Sequence, residues 1–155
     1  MPEKKSAGAA AWDCYARLDE NRPEMDKVYD ESKKQWKLIP YNGYTSKVPL
    51  GFALEMPTGV AAFIVPRSSL GLKTGLYMPN SVGVIDSDYR GEVNALLREM
   101  NPDYDKGSSI YDDSITNGDR VVQMFFNVPN VKLVQVDELT PTERGDGGFG
   151  STGVR

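Results

Sequence analysis

A chain of 155 residues, 39% hydrophobic and 26% charged, suits one domain with a real core. No apolar run approaches the ~20 residues of a membrane span, and a net charge of −4 argues against general nucleic-acid binding. The single cysteine, Cys14, excludes an internal disulfide framework and fits a reducing cytoplasm; zero histidines remove Ser-His-Asp, Cys-His and histidine-metal chemistry.

Any general base must then be a carboxylate, a lysine or a tyrosine. With one cysteine a structural zinc site is also unexpected. Met1 to Gly8 carries lysines but no apolar core of a secretory signal.

In chain order, Ala10 to Ala16 reads as a strand with one acid, Asp13, among apolar neighbours. Glu20 to Lys37 is the best helical candidate, charged and suited to the surface. Its polar part, near 20–35, reads as an excursion from a tight framework. Val60 to Val65 is a strand opened by Thr58-Gly59 and closed by Pro66. Asn80 to Gly91 predicts a hairpin, and Glu92 to Glu99 suits a strand or a helical turn. The acidic stretch 102–114 is a second excursion. Both excursions are expected to be solvated, with contact to a protein partner as the alternative. Arg120 to Phe126 and Val131 to Val136 predict two strands joined by the turn Asn127-Val-Pro-Asn. No repeats occur, and the pattern as a whole predicts an all-β domain over 1–143 followed by a flexible arm, 144–155.

Four segments bear on chemistry. Pro66-Arg-Ser-Ser-Leu-Gly-Leu-Lys ends a strand with amides, hydroxyls and a guanidinium together, a phosphate-binding arrangement that also suits the plain start of a short helix. In Asn80 to Gly91, Val84-Ile85 is expected to deliver Asp86 into a partly desolvated site where a carboxylate can deprotonate water, with Tyr89 nearby to stack on a sugar or base. The bland reading is a turn-capping Asp86 and a packing Tyr89. Asp119 and Arg120 are expected to pair, and Gln123 points either at a ligand or at solvent. A buried lone Asp13 needs partners or a cation, for which Mg²⁺ is suitable. Finally, Arg144-Gly-Asp-Gly-Gly-Phe-Gly-Ser-Thr-Gly cannot pack a core, but it can wrap a phosphorylated ligand with glycine amides, one arginine, two hydroxyls and one ring.

These blocks, in this order, resemble the five motifs of the trimeric dUTPase family from about Ala10 to Gly153. The resemblance rests on Pro66-Arg-Ser-Ser, Gly83-Val-Ile-Asp-Ser-Asp-Tyr-Arg-Gly, Gly118-Asp-Arg and the glycine-rich arm. It implies a jelly-roll-like β fold, a homotrimer with shared active sites, and Mg²⁺-dependent hydrolysis of dUTP to dUMP and pyrophosphate. Such an enzyme keeps uracil out of DNA and supplies dUMP for dTMP synthesis. By the same resemblance Asp86 is the base for water attack on the α-phosphate, and Tyr89 packs on the deoxyribose. Asn80 and the backbone around it, with Gly83 and Val84, read uracil. Arg67, Ser68, Ser69 and Gln123 hold phosphates, and Arg144, Gly150, Ser151 and Thr152 bind from the arm, with Phe149 stacked on uracil. Asp13 reaches Mg²⁺ through water.

The first motif departs from the family pattern, with Ala11 where glycine is usual and Cys14 where leucine is usual, and the strand before it is expected to be short or missing. Three other readings stand beside this one. A dCTP deaminase of the same fold needs a glutamate where this chain has Leu96. A nucleotide-gated regulatory protein would keep the site as a switch. A purely structural jelly-roll subunit would not need Asp86, Tyr89 and the arm together.

Overall fold

The structure is a computed structural model that describes residues 1–18, 27–32, 34–38, 45–100, 115–128 and 131–147. In chain order its elements are β1 (Trp12–Tyr15), β2 (Lys27–Asp30), β3 (Gln35–Leu38), β4 (Ser46–Pro49), β5 (Ala62–Pro66), α1 (Leu70–Thr74), β6 (Leu76–Tyr77), β7 (Gly83–Ile85), β8 (Asn94–Glu99), β9 (Ile115–Thr116) and β10 (Arg120–Phe126). The all-β expectation holds, with one five-residue helix as the exception among the described residues.

Among the described residues three antiparallel sheets form, with strand orders β1-β10-β5-β7, β2-β3-β9 and β4-β8-β6. Valine, isoleucine and phenylalanine dominate β5 and β10, as a pleated, half-buried surface favours. The first sheet buries Cys14, Ile64, Val122 and Met124, the third buries Val48, Leu76, Ala95 and Leu97, and Ile115 joins them from the second. Each fully buried aliphatic side chain of this size contributes about 1.5–3 kcal/mol, so the sheets are held to one another chiefly by this shared core. Helix α1 ends at Gly75, whose left-handed backbone (φ 65°) lets its N–H reach the Gly71 carbonyl at 3.2 Å.

Several sequence expectations change. The helix expected over Glu20 to Lys37 is absent where the chain is described: Lys27–Asp30 and Gln35–Leu38 are antiparallel strands in register Tyr29↔Trp36. Val28, Tyr29 and Trp36 favour extended backbone. Pairing of Lys37 and Leu38 with Thr116 and Ile115 adds a distant partner that no local helix period can foresee. Glu92 to Glu99 resolves as strand β8, alternating half-buried and buried side chains.

Val131 to Val136, expected as a strand, pairs with no strand among the described residues, and Val134 is 71% exposed. Extended sequence becomes a strand only where a neighbour offers its edge. The N-terminal strand, expected short, is reduced to a bridge in which Glu3 and Asp13 exchange backbone hydrogen bonds of 3.1 and 2.8 Å. The excursion at 102–114 lies outside the described residues.

The predicted hairpin is also corrected. β7 pairs with β5, through Ile64↔Gly83, whereas β8 lies between β4 and β6. Asn80 to Gly91 therefore carries the chain from one sheet to another, and a hollow opens at that crossing.

Candidate functional site

The hollow has a volume of about 230 Å³. Asn80, Gly83, Val84 and Asp86 line it from the crossing segment, Tyr89 from its end, Asn94 and Leu96 from β8, and Arg144 from the root of the arm. Four of these residues flank a tight piece of backbone. Ser81 sits at φ 58°, the Val82 N–H donates to the Asn80 carbonyl at 2.5 Å, and the Tyr89 N–H donates to the Asp86 carbonyl at 3.2 Å.

Tyr89 is buried, and its hydroxyl donates to the Glu92 carbonyl at 3.0 Å. Asn94 Nδ2 donates to the same carbonyl at 2.6 Å, so two pocket side chains share one anchor. A Cβ on Gly91 would stand 2.5 Å from the Tyr89 hydroxyl, which is why glycine follows Tyr89-Arg90. Burial pushes the Tyr89 phenol up, and the charge of Asp146 adds to that push.

Asp86 is not desolvated as expected: its side chain is 55% exposed. Short β7 ends one residue earlier, at Ile85, so the carboxylate projects from the rim of the hollow. Arg144 Nη1 donates to Asp86 Oδ2 at 2.6 Å and to Asp88 Oδ1 at 3.2 Å, while its Nε donates to the Gly147 carbonyl at 2.8 Å. The guanidinium also lies 5.4 Å from the centre of the Tyr89 ring. The arm root is tied to the crossing segment by backbone as well. Arg90 N–H donates to the Gly145 carbonyl at 2.6 Å, Arg90 Nε donates to the Thr140 carbonyl at 2.6 Å, and the Thr142 hydroxyl donates to the Asp88 carbonyl at 2.6 Å.

A second cluster forms at the end of the first sheet. Asp13 faces Gln123 across β1 and β10, and Gln123 faces Val65 across β10 and β5, two residues before Arg67. Asp13 Oδ1 accepts from Arg67 Nε at 3.1 Å and from Gln123 Nε2 at 3.2 Å, and Oδ2 accepts from Arg120 Nη1 at 3.1 Å. Burial acts to raise the Asp13 pKa, but the bonds from Gln123 and Arg120 and the charges of Arg67 and Arg120 prevail and hold it below its ordinary value. The expected Asp119–Arg120 pair is replaced by this arrangement. Asp119 Oδ2 instead accepts from the Thr116 N–H and hydroxyl, both at 2.8 Å.

Among the described residues no three His, Cys, Asp or Glu side chains group to hold a metal ion. Both Asp13 oxygens already accept from protein donors, two of them cationic. That donor set does not fit a metal ion held there.

Of the site residues expected from sequence, the hollow brings together Asn80, Gly83, Val84, Asp86, Tyr89 and Arg144. Arg67 and Gln123 stand instead at Asp13. Ser68 is exposed and Ser69 precedes α1 without a side-chain capping bond, and neither lines the hollow. Phe149, Gly150, Ser151 and Thr152 lie outside the described residues. Sequence reasoning missed Asn94 and Asp88. The two-residue period of β8, which puts Asn94 and Leu96 on one face and Ala95 and Leu97 on the other, could have found the first.

The chain is similar to known proteins along nearly its whole length. The dUTPase family model matches residues 1–153. A deoxyuridine 5'-triphosphate nucleotidohydrolase of Yarrowia lipolytica is 43% identical, covering 99% of this chain and 82% of the relative. One of Mesorhizobium japonicum is 38% identical, covering 99% and 83%. The crystal structure of dUTPase from Streptococcus mutans superposes with a TM-score of 0.59 at 25% identity, covering 89% of each chain, and it supports the jelly-roll-like fold expected from sequence. The chain belongs to the dUTPase family.

Proposed function

We propose that this chain is a dUTP diphosphatase, which splits dUTP with water into dUMP and pyrophosphate. The observation that carries the reading is an accessible carboxylate, Asp86, at the rim of a hollow walled by Tyr89, Asn80 and Leu96. The activity of the relatives, deoxyuridine 5'-triphosphate nucleotidohydrolases, supplies the substrate. Asp86 takes a proton from a water, the water oxygen bonds to the α-phosphorus, and the bond from that phosphorus to the bridging oxygen breaks to release pyrophosphate. Tyr89 stands against the deoxyribose, and Asn80 with the backbone of Gly83 and Val84 reads the uracil edge. A wrong base would leave these polar groups unpaired, the stronger route to selectivity. Leu96 puts hydrocarbon in the wall where a deaminase needs a glutamate, so the geometry favours no deamination.

Arg67, Ser68, Ser69 and Gln123 are proposed to hold phosphates, and Phe149, Gly150, Ser151 and Thr152 to close over the nucleotide from the arm. None of the first four lines this chain's own hollow. That separation supports a site completed by another copy, and so the homotrimer. Magnesium neutralises a triphosphate when bound with it, and Asp13, already occupied by Arg67, Arg120 and Gln123, is not free to hold it. A cytoplasmic location is part of the proposal, supported by the lone, buried Cys14. No helix among the described residues is long and apolar enough to cross a membrane.

The test is pyrophosphate release from dUTP, dCTP, dTTP and UTP, with ammonia measured in parallel. Release confined to dUTP is expected. Absence of release from dUTP, or ammonia from dCTP, would overturn the reading.

A further inference from the structure

Asn94 lines the hollow, yet the chemistry proposed above gives it no role. Its Nδ2 donates to the Glu92 carbonyl at 2.6 Å. Only the nitrogen end of a carboxamide can donate, so the group cannot turn over without losing that bond. The other end, Oδ1, is thereby fixed as an acceptor, and it accepts no hydrogen bond from the described residues. It is not sealed in the core either. Glu99 Oε2 is the buried side-chain polar atom left without a partner among the described residues, and Asn94 Oδ1 is not one. The backbone beneath is held firmly: Val93 N–H donates to the Phe52 carbonyl at 2.8 Å, Leu50 N–H donates to the Val93 carbonyl at 3.0 Å, and Asn94 faces Pro49 across β4 and β8. A fixed, open and unpaired acceptor thus stands in the wall of the hollow.

Its position selects the donor. The Tyr89 hydroxyl donates to the same Glu92 carbonyl at 3.0 Å, so the carboxamide lies beside the phenol end of the ring placed against the deoxyribose. Leu96, the next residue on this face of β8, stands about 7 Å further along and walls the base instead. The sugar of a deoxynucleoside triphosphate has one hydroxyl, at its 3′ carbon, because the 2′ carbon carries only hydrogen and the 5′ oxygen carries phosphate. Resting on the proposed function, we infer that Asn94 is a specificity-determining residue whose Oδ1 accepts a hydrogen bond from the 3′-hydroxyl of the bound nucleotide. A sugar without that hydroxyl displaces solvent from the oxygen and gives it no partner. A nucleotide inside a DNA strand has its 3′ oxygen esterified and cannot donate. The contact therefore favours the free nucleotide over the same nucleotide in a polymer.

The experiment measures the affinities of deoxyuridine and 2′,3′-dideoxyuridine by calorimetry for the wild-type chain, Asn94→Ala and Asn94→Leu. Wild type is expected to prefer deoxyuridine by about three- to tenfold, the range of one hydrogen bond. Both variants should bring the two ligands within about twofold of each other, through weaker binding of deoxyuridine alone. Leucine keeps the volume of the side chain, so collapse of the preference in both variants reports the lost acceptor and not a lost shape. An Asn94 that merely packs the wall would weaken both ligands alike and leave their ratio as it was. A wild-type ratio retained in either variant, or a wild-type chain that does not distinguish the two nucleosides, overturns the inference. Neither ligand is turned over, so a wild-type chain inert toward dUTP sinks the proposed function and leaves this measurement intact.

Discussion

Asp86 and Asp13 both accept charge-assisted bonds from arginine, at 2.6 Å and 3.1 Å, yet their surroundings differ completely. The Asp13 side chain is 5% exposed and is held by three donors, Arg120 and Gln123 on β10 and Arg67 just past the end of β5. The Asp86 side chain is 55% exposed and meets one arginine, Arg144. Shorter distance does not mean greater worth. A buried carboxylate cannot lose its partners without leaving charge in a dry place, whereas an exposed one exchanges an arginine for water at little cost. The Asp13 cluster therefore holds the sheet together, and Asp86 is left for chemistry.

The largest effect that sharpens this contrast is Asp13→Ala. It leaves Arg67 and Arg120 facing each other without their shared anion and should cost about 3 kcal/mol, read by urea denaturation. Loss of less than about 1 kcal/mol, the level of a surface pair, would erase the distinction.

Acid titration probes the same cluster. The folded pKa of Asp13 lies below its ordinary 3.8, so the stability it contributes is present above that pH and is lost as pH falls from there through the folded value. Wild type should lose stability more steeply than Asp13→Asn below about pH 4, and parallel curves would contradict the assignment.

On the side of the hollow, Gly91→Ala drives a Cβ against the Tyr89 hydroxyl and should cost about 1–3 kcal/mol, with a raised KM for dUTP as Tyr89 leaves the Glu92 carbonyl. An unchanged KM would remove Tyr89 from the substrate wall. The smallest effect concerns Cys14, beside Asp13 in the chain. Burial, with the charge of Asp13, pushes its thiol up to about 12, so native protein should resist iodoacetamide at pH 8 and react only on unfolding.

Much of the crossing segment was legible because its residues act locally. Gly83-Val-Ile-Asp sets a short strand and the acid that follows it, and the spacing from Asp86 to Tyr89 is a turn whichever sheet receives the ends. Which sheets receive them was not legible. β7 joins β5 and β8 joins β4 and β6 through contacts between distant residues, so a local pattern suggested a hairpin. The same reason explains β2 and β3, whose charged composition suits a helix until Ile115 and Thr116 supply a partner strand. Asp13 was legible as a buried acid in need of partners. Its actual partners lie at sequence distances of 54, 107 and 110, beyond any motif window, and so a cation was expected where two arginines stand.

The most direct test is a crossed comparison of Asp86→Asn and Asp13→Asn, measuring kcat for dUTP and melting temperature on the same samples. Asp86→Asn should lower kcat by about 10²–10⁴-fold, the usual contribution of a general base, with its melting temperature unchanged. Asp13→Asn should lower the melting temperature by several degrees and keep the larger share of kcat. Full activity in Asp86→Asn, or a melting temperature that falls with Asp86→Asn and holds with Asp13→Asn, would contradict the division of labour between the two aspartates.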